Sequence, residues 1–141
     1  QARRALGLEA HEVLDHQWVD NGPGWAALRL HSAARVLSLQ PDWVALAPLK
    51  LGVVGAPAAA HDAQFEVRSF IGGGNFEDPV TGSLNAGLAQ WLIGTGIAPA
   101  RYVAAQGAAL GRAGRVHVHR DGEATWIGGD VAPLIHGQVR L

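Results

Sequence analysis

Cysteine and methionine are both absent from this 141-residue chain, aromatic residues make up only 6 % of it, and charged residues 16 %. Without cysteine there is no disulfide framework, no thiol nucleophile or base and no Cys-ligated metal, and the redox compartment is left open. An excess of charge of one sign is missing as well. Residues 1–70 carry six Arg and Lys against seven Asp and Glu, and residues 71–141 carry five against five. A net charge of −1 spread this evenly lacks the basic footprint of a nucleic-acid or membrane-surface binder. The longest apolar run, 84–97, is too short to span a bilayer and contains Asn85 and Gln90, and no signal-peptide pattern is visible. A cytoplasmic protein is the expectation. The missing methionine, with the bulky Gln1 at the start, makes the chain read as a piece of a longer translation product.

What the sequence does contain is organised around residues 72–91, GGGNFEDPVTGSLNAGLAQW. Gly72 to Gly74 allow close backbone approaches, so this segment is expected to wrap tightly around something. They match neither a dinucleotide fingerprint nor a phosphate loop, which needs Lys after its final Gly. Pro79 drives Asp78 into the extended region, so the carboxylates of Glu77 and Asp78 point to opposite sides and only one faces a pocket. Asp78 is the better held of the two; Glu77 reads as solvent-facing or structural. Thr81, Gly82 and Ser83 carry N-cap chemistry, and from Leu84 apolar residues cover nearly the whole helical circumference, the pattern of a buried helix that Gly94 and Gly96 terminate. Free amides at Gly82 and Ser83 and the positive end of the helix dipole make its start a site for an anion such as a substrate carboxylate.

At this length one domain, 1–141, is expected. In chain order, Arg3 to Leu8 reads as a helix end closed at Gly7. Glu12 to Asp20 reads as a strand entering the turn 20–24, with a hairpin-like return over Trp25 to His31. Ser32 caps a short helix and Pro41-Asp42-Trp43 starts a second, both as surface helices. Lys50 to Gly55 and Gln64 to Phe70 read as strands. After the central helix come four more, at Tyr102 to Gln106, Arg115 to Arg120, Ala124 to Gly128 and Gln138 to Leu141. The fold class is therefore α+β, a curved antiparallel sheet or barrel wrapped around a central buried helix.

Other chemistry is weaker. His117 and His119 share a strand face, but no third ligand is in register, and surface histidines are the plainer reading; no metal is expected. His61, Asp62 and His16 suggest a Ser-His-Asp relay only loosely, since no Gly-x-Ser-x-Gly elbow exists. Trp18, Trp25, Trp43, Trp91 and Trp126 are explained by core and interface packing.

The string Glu77-Asp78-Pro79-Val80-Thr81-Gly82-Ser83 resembles the signature of the PhzF-like phenazine-biosynthesis family, relatives of diaminopimelate epimerase. The opening octapeptide, the turn Asp20-Asn21-Gly22-Pro23-Gly24, Gln40-Pro41-Asp42, Gln106-Gly107, Gly128-Gly129 and Gly137 resemble the carboxyl-terminal half of that family. The resemblance covers essentially the whole chain and about half of a family member. It implies two pseudo-symmetric lobes, each a curved sheet around one helix, with a cleft between them. The implied chemistry is cofactor-independent isomerisation or epimerisation by proton transfer on a carbon acid. The principal acid/base glutamate and its helper histidine belong to the amino-terminal lobe, absent from this chain. By the resemblance, Asp78 faces the substrate, Ser83 and the Gly82 amide hold an anionic group, and Asn21 to Pro23 line the same cleft. Family members often follow the motif with Ala-His; here Leu84-Asn85 follows, so contacts in the first helical turn are expected to differ. The lack of cysteine favours this branch over two-thiol epimerisation. The expected partners are a small carboxylate substrate, the amino-terminal lobe and, in its absence, a second copy in an isologous dimer. The rival is a catalytically inactive lobe acting as a self-associating or carboxylate-binding module.

Overall fold

A computed structural model describes residues 1–59 and 62–140. Helix α1 (Ala2–Ala5) leads to strands β1 (Val13–Trp18) and β2 (Trp25–Leu30), helices α2 (Ala33–Leu37) and α3 (Trp43–Leu46), and strands β3 (Lys50–Gly55) and β4 (Phe65–Ile71). The short β5 (Phe76–Glu77), the central helix α4 (Gly82–Gly94), β6 (Arg101–Gln106), β7 (Gly114–Asp121) and β8 (Ala124–Gly128) follow. Most elements lie where the sequence pattern predicts. Ser32 does cap α2, its Oγ accepting from the Arg35 amide, and Asp42 caps α3 by accepting from Val44 and Ala45. The first helix is shorter than expected and gives way at Leu6 to a turn with Gly7 at φ 61°.

The strands form one sheet in the order β1-β2-β3-β4-β6-β7-β8, with β5 also on β4. The sheet is mixed where an antiparallel one is expected. β2 runs parallel to β3, and β4 parallel to β6. The reason is connectivity: α2 and α3 lie between the first pair, β5 and α4 between the second, and such crossovers join parallel neighbours where two-residue turns cannot. The sheet is not closed, so β1 and β8 are both edges. Residues 129–140 form no strand, so the one expected from Gln138 is absent over its described residues; all of them are exposed, and the segment buries no apolar face that would hold it on a sheet edge. Leu141 and His61 lie outside the described residues.

The sheet separates two apolar clusters. On one face Leu84, Leu88, Ala89, Trp91 and Leu92 of α4 pack against Trp25, Ala27, Val54, Val67, Ala104, Val116 and Val118. Helix α4 touches β2 near one edge and β7 and β8 at the other, so the sheet curls around it. Each of its buried leucines contributes roughly 1.5–3 kcal/mol. Only Gly82, Gln90 and Gly94 of this helix are exposed, as the all-round apolar pattern requires. Gly87 lets α4 press against the backbone of Val19, whose carbonyl would collide with any Cβ there. On the other face α1, α2 and α3 cover β2 to β4 with Leu6, Val36 and Leu46. Among the described residues no helix is long and apolar enough to cross a membrane.

Candidate functional site

Strand β4 is shared end to end by two partners on one side. β6 pairs with its first residues, up to Val67 with Gln106, and β5 with its last, Phe70 with Glu77. The two chains therefore approach head-on beside Ser69, where the Asp78 amide donates to the Ser69 carbonyl (3.0 Å). One must leave the sheet. Pro79, with no N–H to give a ladder, turns the chain out and into α4. Gly107 ends β6 at φ 95°, with room only for a hydrogen where a Cβ would lie 2.7 Å from the Pro79 carbonyl.

Gln106, buried at 1 % exposure, ties this fork together with a full set of four hydrogen bonds. Its Oε1 accepts from the Thr81 amide (3.1 Å) and Asn85 Nδ2 (2.8 Å), and its Nε2 donates to the Asp78 carbonyl (3.0 Å) and Thr81 Oγ1 (3.0 Å). Because Nε2 can only donate, Thr81 Oγ1 must accept from it and turn its own hydrogen elsewhere. That hydrogen goes to Asp78 Oδ2, 2.6 Å away. The bond directions are thus fixed from the core outward, and they end on the half-buried Asp78 carboxylate as an acceptor. Among the described residues Asp78 Oδ1 accepts no hydrogen bond.

The same arrangement leaves the start of α4 uncapped. Thr81 is the N-cap residue, and its side chain makes no cap bond because it is committed to Asp78. The expectation that Ser83 caps the helix is corrected: the helix begins at Gly82, so Ser83 lies in its first turn, and its Oγ accepts from Trp25 Nε1 (3.0 Å). Its own O–H remains available to donate. Asn21 Nδ2 donates to the Ser83 carbonyl (2.9 Å), which brings the 20–24 turn to the same place. That turn is organised by Asp20, whose carboxyl is held below its usual range by the amides of Gly24 and Gly22. Asp78, Gly82, Ser83 and Asn21 therefore converge, with Phe76 and Val80, 47 % and 45 % exposed, on the neighbouring surface.

Glu77 and Asp78 do point to opposite sides. Glu77 receives Arg68 through two bonds (Nε–Oε1 2.9 Å, Nη2–Oε2 2.7 Å), both side chains 6 % exposed. Arg68 Nη1 also donates to the carbonyls of Leu39 (2.7 Å), Val36 (3.2 Å) and Leu37 (3.3 Å) at the end of α2. This pins β5, and with it the position of Asp78. Gly72 to Gly74 form a tight 3-10 turn between β4 and β5, and the close backbone approach expected of them is made at Gly72, against the backbone of Leu46 and Ala47. Asn85 turns into the core, to Gln106 and the Thr81 carbonyl, so the departure from Ala-His changes the network behind the site and not its surface. His117 and His119 sit on the outer face of β7 opposite Gly128 and Trp126, and no group of three metal-ligating side chains occurs among the described residues. Asp62 pairs with Arg115 (2.8 Å) and His16 is exposed on β1.

Sequence reasoning missed Gln106 as the organising residue. Its signal was present as a polar residue ending an apolar strand just before a glycine.

The family model for phenazine biosynthesis-like proteins (PhzC-PhzF) matches residues 1–137. The chain belongs to the phenazine biosynthesis-like family. The solved structures it resembles agree in fold. A PhzF-family protein of Enterococcus faecalis superposes with a TM-score of 0.72 at 23 % identity, covering 91 % of this chain and 46 % of that one. One of Bacillus anthracis gives 0.69 at 16 %, covering 86 % and 47 %. A predicted epimerase of Pseudomonas aeruginosa gives 0.66 at 22 %, covering 96 % and 51 %. The chain thus spans about half the length of these family structures. No curated protein matches it.

Proposed function

We propose that this chain supplies one wall of the active site of a cofactor-independent isomerase or epimerase that transfers a proton on a small carbon acid bearing a carboxylate. The observation that carries the reading is the juxtaposition of the Asp78 carboxylate with the uncapped start of α4 at an open surface. The first-turn amides of Gly82 and Ser83, at the positive end of a buried dipole, hold the substrate carboxylate. The Ser83 hydroxyl donates a further bond, and Asn21 keeps that turn in place. Asp78, kept an acceptor at Oδ2 by Thr81, receives or relays a proton through its free Oδ1. The family resemblance puts the principal acid/base on an amino-terminal lobe, which closes the cleft over Phe76 and Val80. In the two-lobe protein, Asp78→Asn lowers solvent-deuterium incorporation into the carbon acid by about 10²-fold or more with an unchanged melting temperature. Equal incorporation in the variant would remove Asp78 from the chemistry, and no incorporation in either protein would leave a carboxylate-binding domain without catalysis.

A second reading is favoured by the edges of the sheet. Trp18 on β1 and Trp126 on β8 are 67 % and 65 % exposed, and Val131, Leu134, Ile135 and Val139 beyond β8 are over 80 % exposed. Apolar surface of this kind drives association, so the isolated chain pairs with a second copy where the other lobe would sit. Sedimentation is expected to give a dimer at micromolar concentration; a monomer would refute this assembly.

A further inference from the structure

The opposite end of α4 holds a second arrangement that the proposed chemistry does not use. Arg29 follows Trp25 and Ala27 at alternate positions of β2, so it lies on the face that α4 covers. It sits beyond the helix C-terminus, beside Ile97 and Pro99. The 13 residues of α4 put it roughly 20 Å from the Gly82 end. Its Nε is buried and donates to nothing. Asp15 stands opposite Arg29 in the β1–β2 register but accepts from the His16 amide, and among the described residues Arg29 forms no ion pair. The contrast with Arg68, whose guanidinium makes five bonds, is complete.

Arg29 opens into a cavity of about 330 Å³. Besides Arg29, its walls include Leu14, Leu30, Phe65, Ile97 and Pro99, with Gly55 and Ala56 beside them and polar atoms from Gln64 and His31. Gln64 Oε1 is taken by the Val103 amide (2.7 Å), so its Nε2 is left to donate. His31 Nε2 is engaged by the His11 carbonyl (3.1 Å). The cavity therefore offers donors from Arg29 and Gln64 and apolar walls elsewhere, and none of its described lining residues carries a carboxylate. A buried guanidinium N–H without a partner costs free energy that a hydrogen-bonding ligand recovers, and a guanidinium fork matches a carboxylate.

We infer that this cavity is a binding site for a small organic carboxylate with an apolar body, its carboxylate on Arg29 and Gln64 and its body among Leu14, Phe65, Ile97 and Pro99. The volume lies within the usual range for small-molecule pockets. The site is separate from the start of α4, and it stands or falls independently of the isomerase reading.

The test compares 3-phenylpropionate with its uncharged analogue 3-phenylpropanol and with inorganic sulfate, read by thermal unfolding. The acid is expected to raise the melting temperature by about 4 °C at roughly ten times its Kd, the alcohol and sulfate by much less. Arg29→Met keeps the stem and removes the charge; it is expected to melt no lower than the parent without ligand and to lose the response to the acid. Leu14→Trp, on the exposed edge strand, keeps Arg29 and narrows the cavity, and it is expected to lose the response as well. An equal response in Arg29→Met would place the ligand elsewhere, for instance at Gly82 and Ser83, and overturn the inference. An equal effect of sulfate, or no effect of the acid on the parent, would overturn it too.

Discussion

The two ends of α4 treat buried polar groups in opposite ways. At the start, every hydrogen-bonding position of Gln106 is used, Thr81 is committed in both directions, and Asp78 is reached by a chain of bonds anchored in the core. At the far end, Arg29 has a buried Nε with no partner and an apolar cavity before it. A saturated network fixes one geometry, which suits a group that must meet a reacting atom at a set distance. An unsatisfied donor beside a cavity is poised for an occupant. The difference separates a site whose polar side chains are held by one another from one whose buried donor has no partner among the described residues.

Breaking the anchored end gives the largest effect. Glu77→Ala leaves Arg68 charged and buried without its carboxylate, and is expected to cost about 3–5 kcal/mol in urea unfolding. Replacing both Arg68 and Glu77 by leucine is expected to recover most of that loss, because no lone charge remains. A Glu77→Ala protein as stable as the parent would show that β5 is held by something else. Next comes Gln106→Leu, which strands the Thr81 amide and one of the two hydrogens on Asn85 Nδ2; the expected loss is about 3 kcal/mol, from groups worth about 1–3 kcal/mol each when left unpaired in the interior. Amide exchange at Thr81 and Asn85 should rise in that variant before exchange elsewhere on α4.

The smallest effect sharpens the comparison at the surface. The Arg35–Glu12 pair (2.6 Å) has the same chemistry as Arg68–Glu77 but lies partly in water. Bonds from Arg35 and from the Glu9 amide lower the Glu12 carboxyl from 4.5 to about 2. Since its folded value is the depressed one, the unfolded chain binds the proton more readily. The pair's contribution is therefore present above about pH 4.5 and lost as the pH falls toward 2. Glu12→Gln is expected to flatten the melting temperature over that window by a small, salt-screened amount.

Much of this was legible in the sequence, and the particular elements explain why. The buried helix was readable because apolar residues at every angle leave it no solvent face, and β3 and β8 because runs of strand residues end at glycines. The convergence of Asp78, Gly82 and Ser83 was readable from adjacency alone, Pro79 and the helix start acting within a few residues. The parallel pairing of β2 with β3 and β4 with β6 was not, because strand alternation is the same in either direction and the crossovers decide it. Gln106 lies 25 residues from Thr81 in sequence and meets it only because β4 is shared by two strands, a fact of topology. Ser83 reads as a cap in isolation; the indole of Trp25, far away in sequence, claims its oxygen instead. Nothing in the sequence marks Arg29, because its place beyond the end of α4 is set by the curl of the sheet.

The proposed chemistry depends first on the start of α4 holding a carboxylate. Titrating the chain with acetate while following its backbone amide resonances tests this directly. The prediction is a saturable shift of the Gly82 and Ser83 amides, retained in Arg29→Met. Amides of Gly82 and Ser83 that stay still while others move would contradict it.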